Sequence, residues 1–274
     1  MRYLITGAAG GIGRAVAALA ATGAEPASLL LVDRDKAALD RAVAALRAQG
    51  ATAVAFAADL ADPSAPEAAV DAAVAEFGGL DTVVSNAGVL LGGALQDLDM
   101  AAYDTTFAVN TRATWLLGKA AFAELRRSRG SIVATASVSA THPTPPAGMY
   151  SPSKAALLML VRQMALEWGR YGIRANCVSP GPTDTPLTDA SFGPGATGEA
   201  ARNRAYRESL IPLRRIGRPE DVAAAVIFLA GAAAAQITGV DLKVDGGLSL
   251  ALMPVTGRAP GFRLDEIATE EVSQ

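Results

Sequence analysis

Short apolar runs rich in Val, Ile and Leu alternate with alanine-rich runs along most of the chain. This alternation limits the possible folds more than any other feature. The apolar runs predict strands over 3–6, 28–32, 52–57, 82–85, 131–135, 173–179 and 241–244. The alanine-rich runs predict helices over 14–21, 36–49, 66–77, 101–127, 152–170 and 220–230. A helix after nearly every strand carries the chain back to the same end of a sheet, so the strands run parallel with helices on both faces. Leu29-Leu30-Leu31-Val32 is apolar without alternation, as a strand covered on both sides must be. The expected fold is α/β: one doubly wound parallel sheet of about seven strands. The 274 residues suffice for a single large domain with a buried core, and no repeat or low-complexity linker divides them. Regularity fails over 183–213, rich in Gly, Pro and Thr, and in a tail from 248 that ends acidic.

Composition excludes several functions. A net charge of −3 gives no electrostatic draw toward nucleic acid or an anionic membrane. Tyr3-Leu4-Ile5-Thr6 is too short an apolar run for a signal peptide, and longer apolar runs are broken by Gly, Arg or Glu, so no membrane span is expected. A single cysteine, Cys177, allows no intrachain disulfide, and one cysteine with one histidine builds no soft-ligand metal site. From these features a cytoplasmic protein is expected.

The first strand–helix junction reads Thr6-Gly7-Ala8-Ala9-Gly10-Gly11-Ile12-Gly13-Arg14. Glycines at such a junction let backbone approach phosphate, and the helix start offers free N–H groups and a positive dipole end. Asp33, 20 residues past Gly13, closes the second strand where a carboxylate accepts hydrogen bonds from an adenosine ribose. A carboxylate there repels a 2′-phosphate, which favours NAD over NADP. Arg14 and Arg34 argue the other way, because arginine can hold that phosphate.

Tyr150 and Lys154 stand four residues apart at the head of an apolar run with no breaker before Gly169. One helical turn separates them, so both project from one face. An ammonium beside a phenol is expected to lower the tyrosine pKa from about 10 toward neutrality. Such a tyrosine passes protons to or from a substrate oxygen. Ser137 follows the strand over 131–135, at the carboxyl edge of the sheet where ligands of doubly wound folds bind. Its hydroxyl is placed to donate to a substrate oxygen. His142, the only histidine, lies in the same loop and is a candidate substrate contact. The long structureless stretch over 183–213 is expected to be a mobile substrate lid. Leu187 and Phe192 within it, with Leu90, Leu91 and Met149, are apolar candidates for the substrate pocket, which suggests a substrate with a hydrophobic body.

Several short motifs fall in a fixed order: Thr6-Gly7-x-x-x-Gly11-Ile12-Gly13, Asp59-Leu60, Asn86-Ala87-Gly88, Asn110, Ser137, Tyr150 with Lys154, Pro180-Gly181 followed by Thr183 and Thr185, and Asp245-Gly246-Gly247. Over residues 1–247 the chain resembles the short-chain dehydrogenase/reductase family. The resemblance implies a Rossmann-type NAD(P)-binding domain over 1–247, with 248–274 as a C-terminal extension. It makes Asn110, Ser137, Tyr150 and Lys154 the catalytic residues. Tyr150 is then the general acid/base, Lys154 also binds the nicotinamide ribose, and Asn110 holds a water that extends a proton relay. Gly7, Gly11, Ile12, Gly13, Asp33, Arg34, Asp59, Leu60, Asn86, Ala87, Gly88, Pro180, Gly181, Thr183 and Thr185 join Tyr150 and Lys154 around the cofactor. The implied activity is an NAD-dependent alcohol dehydrogenase or ketone reductase acting on a small molecule. An NADPH-dependent 3-oxoacyl-carrier reductase and a non-catalytic dinucleotide sensor are the alternatives. The helix over 152–170 is apolar all round and needs cover on both sides. The family pairs this helix and the preceding one between subunits, which implies a homo-oligomer, a dimer or a homotetramer.

Overall fold

In the computed structural model, which describes residues 1–23 and 27–251, a single sheet organises the chain. In chain order the elements are β1 (Arg2–Thr6), α1 (Gly11–Ala21), β2 (Ser28–Asp33), α2 (Lys36–Ala48), β3 (Thr52–Ala57), α3 (Ala65–Phe77) and β4 (Thr82–Ser85). There follow α4 (Met100–Phe107), α5 (Ala113–Ser128), β5 (Ser131–Thr135), α6 (Tyr150–Trp168), β6 (Arg174–Pro180), α7 (Asp189–Phe192), α8 (Gly198–Leu210), α9 (Pro219–Ala230) and β7 (Asp241–Val244). The seven strands lie in the order β3-β2-β1-β4-β5-β6-β7, and every adjacent pair is parallel. Strand order reverses between β1 and β4, which opens a crevice at their carboxyl ends.

Both faces of the sheet are buried, as the continuous apolar strands require. Leu4, Leu30 and Ile132 pack with Leu117 of α5 and Leu157 of α6 on one face. Ile5, Leu31 and Val133 pack with Val16 of α1, Leu39 of α2 and Val226 of α9 on the other. Each such fully buried Leu or Ile contributes roughly 1.5–3 kcal/mol.

The helices depart from expectation in three places. The single helix expected over 101–127 is two helices joined by a π-turn at Ala108–Arg112, where the Ala113 N–H reaches the Ala108 carbonyl. The extra residue turns Asn110 inward, where it is 1% exposed. α6 starts at Tyr150, ahead of Pro152, because a proline in the first turn forfeits no intrahelical hydrogen bond. The stretch over 183–213 holds α7 and α8, and Asp184 and Leu213 near its two ends donate from backbone to the carbonyls of Gly217 and Gly246. Of the extension over 248–274, Leu248 packs on Phe192, Ile211 and Ile216, and residues 252–274 lie outside the described residues.

Candidate active site

The crevice is a cleft of about 520 Å3, joined through Gly7, Asp33, Arg34, Ala87 and Gly88 to a smaller pocket of about 110 Å3. Its floor is the turn after β1. Gly7 sits at φ +65 and Gly11 at φ +51, a left-handed backbone that L side chains rarely adopt. A Cβ on Gly7 would lie 2.9 Å from both the Ala87 Cα and the Asn86 Nδ2. One on Gly13 would strike the Gly7 carbonyl oxygen, so Gly13 closes the turn from beneath rather than lining the cleft. Asn86 binds the turn to β4, donating from Nδ2 to the carbonyls of Thr6 (3.2 Å) and Gly7 (3.3 Å). Thr6 Oγ1 accepts in return from the N–H groups of Asn86 and Ala87, each at 3.0 Å.

Asp33 braces the same turn, accepting from Ala9 N at 3.0 Å and Asp35 N at 3.1 Å. Two further lone-pair sites on its carboxylate remain for a ligand. Ile12, Arg34, Asn86, Ala87, Gly88, Pro180, Gly181, Thr183 and Thr185 also line the cleft, while Asp59 and Leu60 line the smaller pocket. A helix start with no acidic residue in its first turn, close backbone that leaves no room for a Cβ, and two joined pockets fit a dinucleotide.

Ser137, from the loop after β5, and Tyr150 and Lys154, from α6, line the cleft together. Burial pushes the Tyr150 phenol above its ordinary value, and a hydrogen bond with the Ser137 hydroxyl pulls the other way. The expected lowering by Lys154 is therefore reversed in sign. The Lys154 ammonium stands 5.8 Å from the ring centroid and donates instead to the Thr135 carbonyl at 2.7 Å. Burial lowers Lys154 itself to about 8. Asn110 does not line the cleft. It grips the Val89 backbone through both amide atoms, at 2.8 and 3.0 Å, and donates to Ser153 Oγ at 3.0 Å. Ser153 Oγ in turn donates to the Tyr150 carbonyl at 2.7 Å, so Asn110 secures the first turn of α6.

The substrate candidates divide. Leu187 lines the cleft with Ser137 and Tyr150. His142 does not: it is exposed, and its Nδ1 pairs with Thr141 Oγ1 at 2.9 Å. Phe192 is 5% exposed because it packs with Ile211 and Ile216 beneath the Arg207 guanidinium, 4.6 Å from its ring. Met149, Leu90 and Leu91 also lie outside the lining, and the two leucines are exposed near a bridge from Gly93 to Ala147. Sequence reasoning missed Asp35, Ala38, Thr135, Ala136, Pro186 and Thr188, all of which line the cleft. Thr135 was within reach of an alternation argument, standing two positions before Ser137 at the end of a strand. Among the described residues no group of side chains is arranged to hold a metal, and no helix is long and apolar enough to cross a membrane.

The chain is similar to known proteins. A family model described as enoyl-(acyl carrier protein) reductase matches residues 7–249. The chain is 38% identical over 247 residues to 2-(S)-hydroxypropyl-CoM dehydrogenase 3 of Xanthobacter autotrophicus, covering 89% of this chain and 95% of that protein. A short chain dehydrogenase from Burkholderia cenocepacia J2315, solved in complex with NADP, superposes with a TM-score of 0.81 at 37% identity, over 90% of this chain and 97% of that one. A 3-ketoacyl-(acyl-carrier-protein) reductase from Brucella melitensis, complexed with NADH, gives 0.80 at 31% identity, over 90% and 98% of the two chains.

Proposed function

The chain belongs to the short-chain dehydrogenase/reductase family, and from that premise we propose that it interconverts a secondary alcohol and a ketone on a relatively apolar substrate, with NAD as the preferred partner. At the coarser level it is an oxidoreductase acting on CH–OH groups. The observation that carries the finer reading is the meeting of Ser137, Tyr150 and Lys154 above a floor of glycine backbone. When bound, a nicotinamide dinucleotide supplies the hydride carrier.

The protein's own groups do the rest. Gly7, Gly11 and the N–H groups opening α1 would hold the pyrophosphate, Asp33 the adenosine ribose, and Asp59 with Leu60 the adenine end; all of them line the two pockets or open the helix beside them. Lys154 would bind the nicotinamide ribose. Pro180, Gly181, Thr183 and Thr185, which line the cleft, would confine the nicotinamide end. Tyr150 exchanges a proton with the substrate oxygen. Its raised pKa keeps the phenol protonated at neutral pH, the form that can donate to a ketone oxygen. In the oxidation direction the hydrogen bond from Ser137 favours the phenolate that must form. Asn110, its amide committed to Val89 and Ser153, acts by fixing the first turn of α6 rather than by holding a relay water through its side chain.

Asp33 stands at the junction of the two pockets, where its charge disfavours a 2′-phosphate. Exposed Arg34 lines both pockets and supports a second reading, an NADPH-dependent 3-oxoacyl-carrier reductase. A screen of secondary alcohols and ketones, followed by NADH and NADPH fluorescence, separates the two. Comparable efficiency with both cofactors would overturn the NAD assignment, and no turnover with any alcohol or ketone would overturn the activity. Trp115 on α5 and Met159 and Leu166 on α6 are exposed, and we assign that face to a homo-oligomer, a dimer or tetramer. A monomer by light scattering would contradict it. We place the enzyme in the cytoplasm.

A further inference from the structure

Thr135 ends β5, lines the cleft and is 7% exposed. Its two polar ends point to different parts of the site. The carbonyl accepts from Lys154 Nζ at 2.7 Å, and the hydroxyl donates to Asn86 Oδ1 at 3.0 Å. The other end of the Asn86 amide donates to the Thr6 and Gly7 carbonyls, and Thr6 Oγ1 receives the Asn86 and Ala87 N–H groups. A continuous hydrogen-bonded chain thus runs from the lysine to the glycine turn across the carboxyl ends of β5, β4 and β1.

We propose that Thr135 is a positioning residue that couples the nucleotide-binding turn to Lys154, so that the order of the turn and the charge state of the lysine depend on each other. The inference rests on reading the cleft as a dinucleotide site. Among the described residues, the Thr135 carbonyl is the hydrogen-bond acceptor for Nζ. The other groups facing the lysine are the Tyr150 ring on its own helix, the buried Cys177 on β6, and Asn110 from the π-turn. Asp241 and Arg162 act on Cys177. Burial holds Cys177 as a neutral thiol, so it is not an anion beside the ammonium. Its support is then the carbonyl dipole, which is only as well placed as the strand end that carries it. Releasing the Thr135 hydroxyl loosens that strand end and also leaves a partly buried amide oxygen of Asn86 without this donor.

Thr135→Val keeps the shape and removes the donor, and Thr135→Ser restores it. Thr6→Val cuts the far end of the same chain without touching the lysine. Three readouts apply: the Lys154 titration followed by 13C NMR of the unloaded protein, the NADH dissociation constant by fluorescence, and kcat and KM against pH. Thr135→Val is expected to weaken NADH binding about five- to tenfold and to lower the Lys154 titration by about half a pH unit. Thr135→Ser returns both to wild type, and Thr6→Val moves both in the same direction as Thr135→Val. Unchanged NADH affinity and lysine titration in Thr135→Val, or loss of thermal stability alone, would overturn the coupling. If Thr135→Val does not fold, the Thr6→Val titration decides in the same way. Absence of NADH binding by the wild type would instead overturn the dinucleotide reading, while the titration of the unloaded protein still tests the chain of hydrogen bonds.

Discussion

The two walls of the cleft keep their shape by different means. On the β1–β4 side, backbone meets backbone. Gly7 touches Ala87 and Asn86, and Gly13 touches Gly7, at distances that exclude a single added carbon. On the far side, backbone pairing ends where Pro182 and Asp184 bond Gly217, and from there through α8 the stretch is held mainly by side chains. Asp184 receives two hydrogen bonds from the Arg204 guanidinium, at 2.6 and 3.1 Å, and Arg204 also reaches the Phe192 carbonyl and Glu208. Thr188 Oγ1 ties back to the Thr183 carbonyl at 2.7 Å, and Thr185 and Pro186 lean on Gly10 and Gly11. Steric exclusion among backbone atoms has one solution. Partly exposed ion pairs are worth about 0–1 kcal/mol each and can be broken and remade. The first wall suits a ligand that is always the same, and the second suits admission of a substrate.

Tyr150 belongs to neither wall, and substituting it should separate chemistry from binding. Tyr150→Phe is expected to lower kcat by about a hundred- to ten-thousandfold. The NADH dissociation constant should stay near the wild-type value. A variant that turns over at an undiminished rate would remove the tyrosine from the chemistry.

Lys154 sits where the walls meet and carries a conflict between stability and function. Its ammonium is buried and titrates near 8, below the ordinary lysine value of 10.5. Between those values the folded protein binds fewer protons than the unfolded chain, so wild-type stability rises with pH across that window. Below it the folded state bears the full cost of the buried charge. Lys154→Met, which is close in volume, is therefore expected to be more stable at pH 7, by up to about 3 kcal/mol. The gain should shrink as pH climbs through 8 toward 10.5. Urea unfolding of both proteins at pH 7 and pH 10 measures this, and a difference that does not change with pH would contradict the assignment.

Gly13→Ala attacks the backbone wall. The new methyl must displace the Gly7 carbonyl, so the turn opens. NADH binding is expected to weaken on the order of a hundredfold, equivalent to about 3 kcal/mol. An affinity within a factor of two would mean that this wall yields as readily as the other.

The same contrast explains what could be read from the chain before its structure. Backbone constraints leave marks in the sequence: glycine where only glycine fits, apolar runs where both sides are covered, and Tyr150 one turn from Lys154. Juxtapositions across elements leave none. Nothing local to 101–127 distinguishes a π-turn at Ala108–Arg112 from plain helix, because the difference is one residue of hydrogen-bond register. The pairing of Arg204 with Asp184, and of Thr135 with Asn86, depends on which loops meet. Spacing says that Lys154 is near Tyr150 but not how dry the site is, and dryness sets the sign of the tyrosine shift. Phe192 reads as a pocket residue because it is apolar and falls within 183–213. It is instead buried in a small core of its own with Ile211 and Ile216.

The smallest expected effect tests the far wall. Arg204→Met keeps the length of the side chain and removes its contacts with Asp184, Glu208 and the Phe192 carbonyl. Both charges of the main pair are partly exposed, at 24% and 18% of the side chain, so their loss should change overall stability by no more than about 1 kcal/mol. The loss falls on one segment, however, and shifts the closed population of that segment alone. A change of about 1 kcal/mol in closure raises the substrate KM by about fivefold if binding requires the closed form. NADH, held mainly by the other wall, should lose no more than about twofold. Limited proteolysis between Thr183 and Leu213 should quicken, and added NADH should restore less protection than in the wild type. Equal losses for substrate and NADH would show that the two walls move as one, and the distinction between a fixed wall and a latched one would fall.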